Sequence, residues 1–339
     1  MGDPVRQWPH FFFSINRNKR SLTVDLKTGE GREILQRIAK RCDVLTEGFR
    51  PGVTQRLGID YETLKGLNRK LIYCSISGYG QQGPYRDLPG HDLNYQAMSG
   101  ILQFFKDDEG NFVTPGVDLG DICSAMFAAI GIMAALIGRE KTGEGQYIDV
   151  SMFDGLISWL SPYFGTFWGT GSLDKGSDPG YGIFKSKDKK EFALGVAHED
   201  WFWDRLCEKL GLEKLKGTRG VERRARKKEL SKVLQEAFRE MRISECLRVL
   251  READVPASPI QGLKEVTEDP QVRARELIFD MRLPSGEVIK EIGLPIKFSH
   301  MEKSMRLPPP ALGEHNADIL LSLGYSRGDI DYLTKRGII

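Results

Sequence analysis

An uncharged run over residues 122–137, rich in alanine, glycine and serine, is the strongest constraint on how this chain can fold. It is shorter than the ~20 apolar residues that a membrane crossing needs. Its small residues (Ala125, Ala128, Ala129 and Gly131) let neighbouring elements come close. The spacing therefore predicts a helix over residues 120–136, buried in a tightly packed interior. One carboxylate, Asp121, stands at the start of that helix. An acid in a first turn is ordinarily a cap favoured by the helix dipole. Gly120 leaves room for a ligand, and a carboxylate so placed can act as a nucleophile or as a proton donor and acceptor.

The segments around this helix alternate in type. Residues 21–26 and 43–47 read as strands, 32–40 and 61–67 as helices, and 71–77 as a buried central strand bounded by glycine. Such alternation predicts an α/β domain with a mostly parallel sheet. The glycine- and proline-rich loop 78–90 follows the central strand, where open α/β sheets bind ligands. It leads into His91 and Asp92, an acid–base pair if the carboxylate orients the imidazole; a structural role is the plainer reading.

Further along, residues 165–182 read as a glycine-rich linker. A strand at 192–197 and helices at 199–210, 227–241 and 244–252 predict a smaller α+β domain, and a last helix covers 316–323. The expected division is a large domain from 1–170 and 290–339, a small domain over 181–285, and linkers at 165–182 and 279–310. Six basic residues lie within 219–228; with Glu222 and Glu229 among them they read as a solvated face.

Composition removes several function classes. The 49 basic and 47 acidic residues leave a net charge of only +2, whereas a nucleic-acid binder gathers a basic excess. The cysteines (Cys42, Cys74, Cys123, Cys207 and Cys246) are odd in number and contain no CxxC pair, as expected of reduced thiols in a cytoplasmic protein. No histidine spacing suits a metal, so none is expected. Signal-peptide, GxGxxG, P-loop and GxSxG patterns are not found, and neither a membrane nor a nucleic acid is an expected partner. Lys27, Arg50 and Arg56 stand at or near predicted strand ends, where phosphates are commonly held, although solubilising charge is the ordinary reading.

Taken together, several ordered segments resemble the family III CoA-transferases, the group that includes alpha-methylacyl-CoA racemase. The matching stretches are residues 18–21, 25–27, 43–52 (ending Gly48-Phe49-Arg50-Pro51-Gly52), 90–95 (Gly90-His91-Asp92-Leu93-Asn94-Tyr95), Gly120-Asp121, 142–146, 312–315 and 323–325. The resemblance implies a Rossmann-like large domain built from both chain ends, a small α+β domain and an interlocked homodimer. CoA or acyl-CoA is then a substrate rather than a permanent cofactor, a carboxylic acid is the second partner, and Val24, Lys27, Gly48, Phe49, Arg50 and Arg56 match CoA-binding segments.

Two reactions follow from the resemblance. In the transferases the aspartate matching Asp121 attacks the thioester and carries the acyl group as an anhydride. In the racemase the same aspartate and the histidine matching His91 exchange the α-proton. The Gly90–Tyr95 segment is racemase-like, yet position 198, where that enzyme's supporting glutamate falls, is His, with Glu199 adjacent. Transfer is the expected reaction, racemisation the alternative, and a non-catalytic CoA-binding subunit a further one. Family members usually carry a first β-α unit before the Gly2-Asp3-Pro4-Val5-Arg6 segment, and here that unit is expected to be missing.

Overall fold

A computed structural model describes residues 2–107, 109–173, 177–300 and 307–339. Residues 174–176 and 301–306 of the expected linkers lie outside the described residues. The chain divides into two compact units. The first comprises Met1–Phe164, Asp280–Glu291 and Lys297–Ile339, and the second Gly165–Phe279 and Ile292–Ile296.

The first unit runs through α1 (Pro9–Asn16), α2 (Gly29–Ala39), β1 (Val44–Glu47), α3 (Val53–Leu57), α4 (Tyr61–Lys65) and β2 (Ile72–Ser77). It continues with α5 (Asp92–Ser99), α6 (Leu119–Thr142), β3 (Tyr147–Ser151) and α7 (Met152–Trp159). The three strands form a parallel sheet in the order β1-β2-β3, with Val44 opposite Ile72 and Tyr73 opposite Tyr147. Successive strand residues face opposite ways. Tyr73 accordingly packs with Ala39 and Leu64 from α2 and α4, while Cys74 packs with Ala128 of α6 and Val150 of β3. That covering on both faces explains the continuous apolar run of β2.

The long apolar helix is present as α6, but only one side of it is buried. Cys123, Ala128 and Ala135 face the interior, and Gly131 lets Ile148 approach to 3.3 Å of where a β-carbon would stand. On the other side Ile122, Met126, Ile130, Met133 and Ile137, spaced for one helical face, are each about half exposed. Within the described residues, α6 packs against β2, β3, α5 and α7 on the buried side, so the expectation of full burial holds for half the helix.

The division between the units falls within α8 (Ser161–Thr170), so part of the expected linker is helical. Tyr163, Phe164, Phe167 and Trp168 recur at helical spacing and outweigh Gly165 and Gly169. The second unit continues with β4 (Tyr181–Lys185), β5 (Glu191–Gly195), α9 (Asp200–Lys209), α10 (Gly220–Ala225), α11 (Lys227–Arg239), α12 (Ile243–Glu252) and β6 (Ala257–Pro259). Then come α13 (Leu263–Glu268) and α14 (Pro270–Ala274), and the pair β7 (Ile278–Arg282) and β8 (Val288–Ile292) straddles the division. An antiparallel sheet β4-β5-β6 packs Phe184, Phe192 and Leu194 against Trp203, Leu206, Leu230, Leu234, Phe238 and Leu250.

Arg223 corrects the reading of 219–228 as a wholly solvated face: its side chain is 0% exposed. Its guanidinium donates to Asp178 at 2.7 Å, Asp200 at 2.6 Å and the carbonyls of Thr218 and Ala197. Four acceptors in one place are what make a buried arginine tolerable.

In the first unit α15 (Asn316–Ser322) and α16 (Arg327–Lys335) close a core of Ile34, Leu320, Leu323, Leu333 and Ile338. Residues 21–25 lie beside them without forming the expected strand. Their backbone groups bond helix ends and side chains instead: Ser21 N–H to His315 Nδ1, Thr23 N–H to Asn316 Oδ1, and Asp25 N–H to the Ile338 carbonyl.

Candidate active site

The site is built where β1, β2 and β3 end and α6 begins. Asp92, the first residue of α5, places Oδ1 against the start of α6, accepting from Gly120 N–H at 2.6 Å and Asp121 N–H at 3.3 Å. A β-carbon at position 120 would stand 2.9 Å from that oxygen. The space left by Gly120 is therefore filled by Asp92 and not by a ligand. Its other oxygen accepts from Gln96 Nε2. Among the described residues the hydrogen bonds found on Asp92 come from Gly120, Asp121 and Gln96, and none from His91 is among them.

Because Asp92 caps α6, the Asp121 carboxylate is free to face outwards. It lines a cavity of about 280 Å³ with His91, Asp92, Tyr95, Asp118 and Met152. It also borders a second, of about 320 Å³, with Glu47, Gly48, Ile76 and Ser124. Partial burial pushes its carboxyl up first, the negative charges of Asp92 and Asp118 add to this, and His91 acts in the opposite direction. Two residues on, Cys123 is buried and its thiol is pushed up to about 11, so it is not a competing nucleophile near neutral pH.

Gly48 and Ile76 join these spaces to a third cavity of about 440 Å³, which holds Phe49, Arg50, Arg56, Ser77 and Arg86. Glu47 fixes the loop after β1 by accepting from Phe49 N–H at 2.7 Å and from the Ser75 hydroxyl. Guanidinium nitrogens of Arg86 and Arg56 converge near Gly52, 3.4 and 3.5 Å from where its β-carbon would stand. Among the described residues, the ion pair found in this cluster is Arg86–Asp87 at 4.0 Å. The Ser77 hydroxyl, buried at the end of β2, has no hydrogen-bond partner, at a cost of about 1–3 kcal/mol unless a ligand supplies one. Positive charge and an unused hydroxyl at strand carboxyl ends suit a phosphorylated ligand.

Tyr95 divides the cleft. Its ring lies so close to Gly78 and Gly90 that β-carbons there would stand 2.3 and 2.7 Å from it, and its hydroxyl donates to the Gly90 carbonyl at 2.6 Å. The glycines of the loop thus make room for this ring. Sequence reading missed Tyr95, Gln96, Ser77 and Arg86. Tyr95 and Gln96 stand four residues after His91 and Asp92, the helical spacing that could have found them.

The other expected binding residues separate. Gly48, Phe49, Arg50 and Arg56 come together, whereas Val24 lines a different cavity of about 610 Å³ with Arg6, Lys19 and Arg20. Lys27 precedes α2 and lines none of these four cavities. His198 and Glu199 belong to the second unit, with His198 Nε2 3.8 Å from Glu199 Oε1.

The sequence profile of CoA-transferase family III matches residues 1–316. The chain belongs to CoA-transferase family III. Among its relatives, the succinyl-CoA:glutarate CoA-transferase of Homo sapiens is 33% identical over 360 residues, covering 100% of this chain and 81% of that protein. The acetyl-CoA:oxalate CoA-transferase of Acetobacter aceti is 34% identical, over 91% of this chain and 80% of that one. A CaiB/BaiF family protein from Brucella suis has a similar solved structure, with a TM-score of 0.79, 32% identity, and 92% and 84% of the two chains covered. The α/β fold with its parallel sheet is thus shared with other family members.

Proposed function

We propose that this family III chain transfers CoA between dicarboxylic acids, with Asp121 as the group that carries the acyl unit. The observation that carries the reading is the Asp121 carboxylate itself: accessible, raised, and at the junction of two cavities next to an arginine-lined one. The relatives named for succinyl-CoA with glutarate and for acetyl-CoA with oxalate support a dicarboxylic acceptor, and the first supports a dicarboxylic donor as well. Asp121 attacks the thioester carbonyl, the C–S bond breaks, and the CoA thiolate leaves a mixed anhydride behind. The thiolate then attacks the aspartyl carbonyl and releases the first acid. The acceptor acid attacks the aspartyl thioester in turn, and the thiolate finally collects the new acyl group.

Incubation with succinyl-CoA and glutarate is expected to give glutaryl-CoA and succinate with parallel-line kinetics. Failure to exchange any pair of dicarboxylic acids would overturn the reading. A second reading, racemisation of 2-methylacyl-CoA, is favoured by the presence of His91 and Asp121 in one cavity. Washout of α-deuterium from such a thioester without an acceptor acid would select it.

Two expected outcomes bear on the site. In Arg56→Gln and Arg86→Gln, KM for acyl-CoA rises about tenfold each and its salt dependence weakens, with kcat little changed, because a charge-assisted phosphate contact is worth roughly 1.5–3 kcal/mol. Steady-state kinetics at two ionic strengths check this. Since Asp121 must be ionised to attack and its carboxyl is raised, kcat/KM falls on acidification at a pH above the ordinary aspartate value of about 3.9. A pH–rate profile measures that limb.

We further propose that the chain works as a homodimer. The half-exposed apolar stripe of α6 supports an assembled state. Sedimentation is expected to give twice the chain mass, and Met133→Glu to shift the protein towards monomer.

A further inference from the structure

Gln96 lies on α5 one helical turn beyond Asp92, 1% exposed, and its amide is oriented by its surroundings. Both groups it meets are acceptors: Asp92 Oδ2 and, at 3.3 Å, the Val117 carbonyl. Nε2 must face them, which turns Oε1 towards the interior, where it has no hydrogen-bond partner. A buried amide kept with an unsatisfied oxygen is a poor structural choice, since an apolar side chain of the same shape would avoid the penalty. The arrangement makes sense through what the nitrogen does. It ties Asp92 to the segment preceding α6 while Asp92 holds the first amides of α6 itself.

We propose that Gln96 is a positioning residue for Asp121, fixing the Asp92 side chain on the backbone of Gly120 and Asp121 and so setting both the aim and the charge surroundings of the Asp121 carboxylate. The inference rests on Asp121 being the reacting group. The groups facing it are Asp92 and Tyr95 from α5, His91 just before α5, Asp118 just before α6, and Glu47 at the end of β1; α7 contributes the uncharged Met152. Among these Asp92 is the charge whose place Gln96 controls. Its negative charge opposes ionisation of Asp121, in the direction the Asp121 carboxyl is displaced. Without the Gln96 amide, Asp92 is less firmly held against the start of α6, and its charge no longer has a fixed place beside Asp121.

The test is Gln96→Met in the full chain, a volume-matched change that removes the amide nitrogen and the orphaned oxygen together. Turnover of acyl-CoA is expected to fall about tenfold or more, while KM for acyl-CoA stays within about twofold, as for a lost interaction that aids the chemical step. The acid limb of kcat/KM is expected to move to lower pH, and the thermal midpoint to stay unchanged or rise. A carbon-13 titration of aspartate-labelled protein, with Asp121 identified by its absence in Asp121→Asn, is expected to show the same downward movement without any turnover. Asp92→Asn, which keeps an oxygen for Gly120 but removes the charge, is expected to move Asp121 the same way. Unchanged kcat and titration in Gln96→Met would overturn the proposal, as would a loss of turnover matched by lost folded protein with the Asp121 titration in place. If the wild-type protein exchanges no acids, the transfer reading fails by itself, and the titration still decides whether Gln96 acts on Asp121.

Discussion

Asp121→Asn is expected to lower CoA transfer by on the order of 10⁴-fold or more, the scale on which removal of a nucleophile is felt. Asparagine keeps the size of the side chain and cannot form the anhydride. CoA should still bind the variant, because the arginine-lined cavity does not include position 121. Hydroxylamine added with acyl-CoA is expected to leave a hydroxamate on Asp121 in the wild-type protein and none in the variant, readable by peptide mass mapping. Transfer retained in Asp121→Asn within tenfold of wild type would remove Asp121 from the acyl-carrying role.

Arg223→Met is expected to be strongly destabilising to the second unit. Asp178, 3% exposed at its side chain, would be left as a buried carboxylate without its cation, and the carbonyls of Ala197 and Thr218 would lose a shared donor. Breaking one side of a buried pair costs roughly 3–5 kcal/mol. Asp200 is 35% exposed, so Asp200→Asn is expected to cost less than about 1 kcal/mol. Hydrogen exchange over α9 and α11, compared between the two variants, checks both magnitudes.

Two of the three strands of the parallel sheet, β1 and β2, and several helices were legible because their signals are local, whereas β3 was not read as a strand. Apolar runs bounded by glycine marked β2, and 3.6-residue periodicity marked α2, α9, α11 and α12. Asp121 was legible as a carboxylate at a helix start, and the Gly48–Arg50 loop as the end of a strand. What stayed hidden depends on contacts between distant residues. Asp92 reads as a partner for its neighbour His91, yet the group it bonds is the backbone of Gly120, 28 positions away. Arg223 sits in a basic run, and only the approach of Asp178 from 45 positions upstream makes a buried arginine of it. Residues 21–25 have a strand pattern but find helix ends instead of a sheet, which no local rule foretells. The stripe on α6 was hidden for the opposite reason: composition shows that a helix is apolar without showing which side is covered.

The bonds that tie residues 21–25 to the far end of the chain also set a timetable for synthesis. Asp25 cannot reach its acceptor until the ribosome has delivered Ile338, nor can Ser21 before His315. The second unit is nearly continuous in sequence, and the core built from Phe184 to Val255 can form before His315 and Ile338 are made. The first unit must instead wait with one edge of its core open until Leu320 to Ile338 arrive. Slowing translation between the codons for Val255 and Ile338 would lengthen that wait without altering the finished contacts.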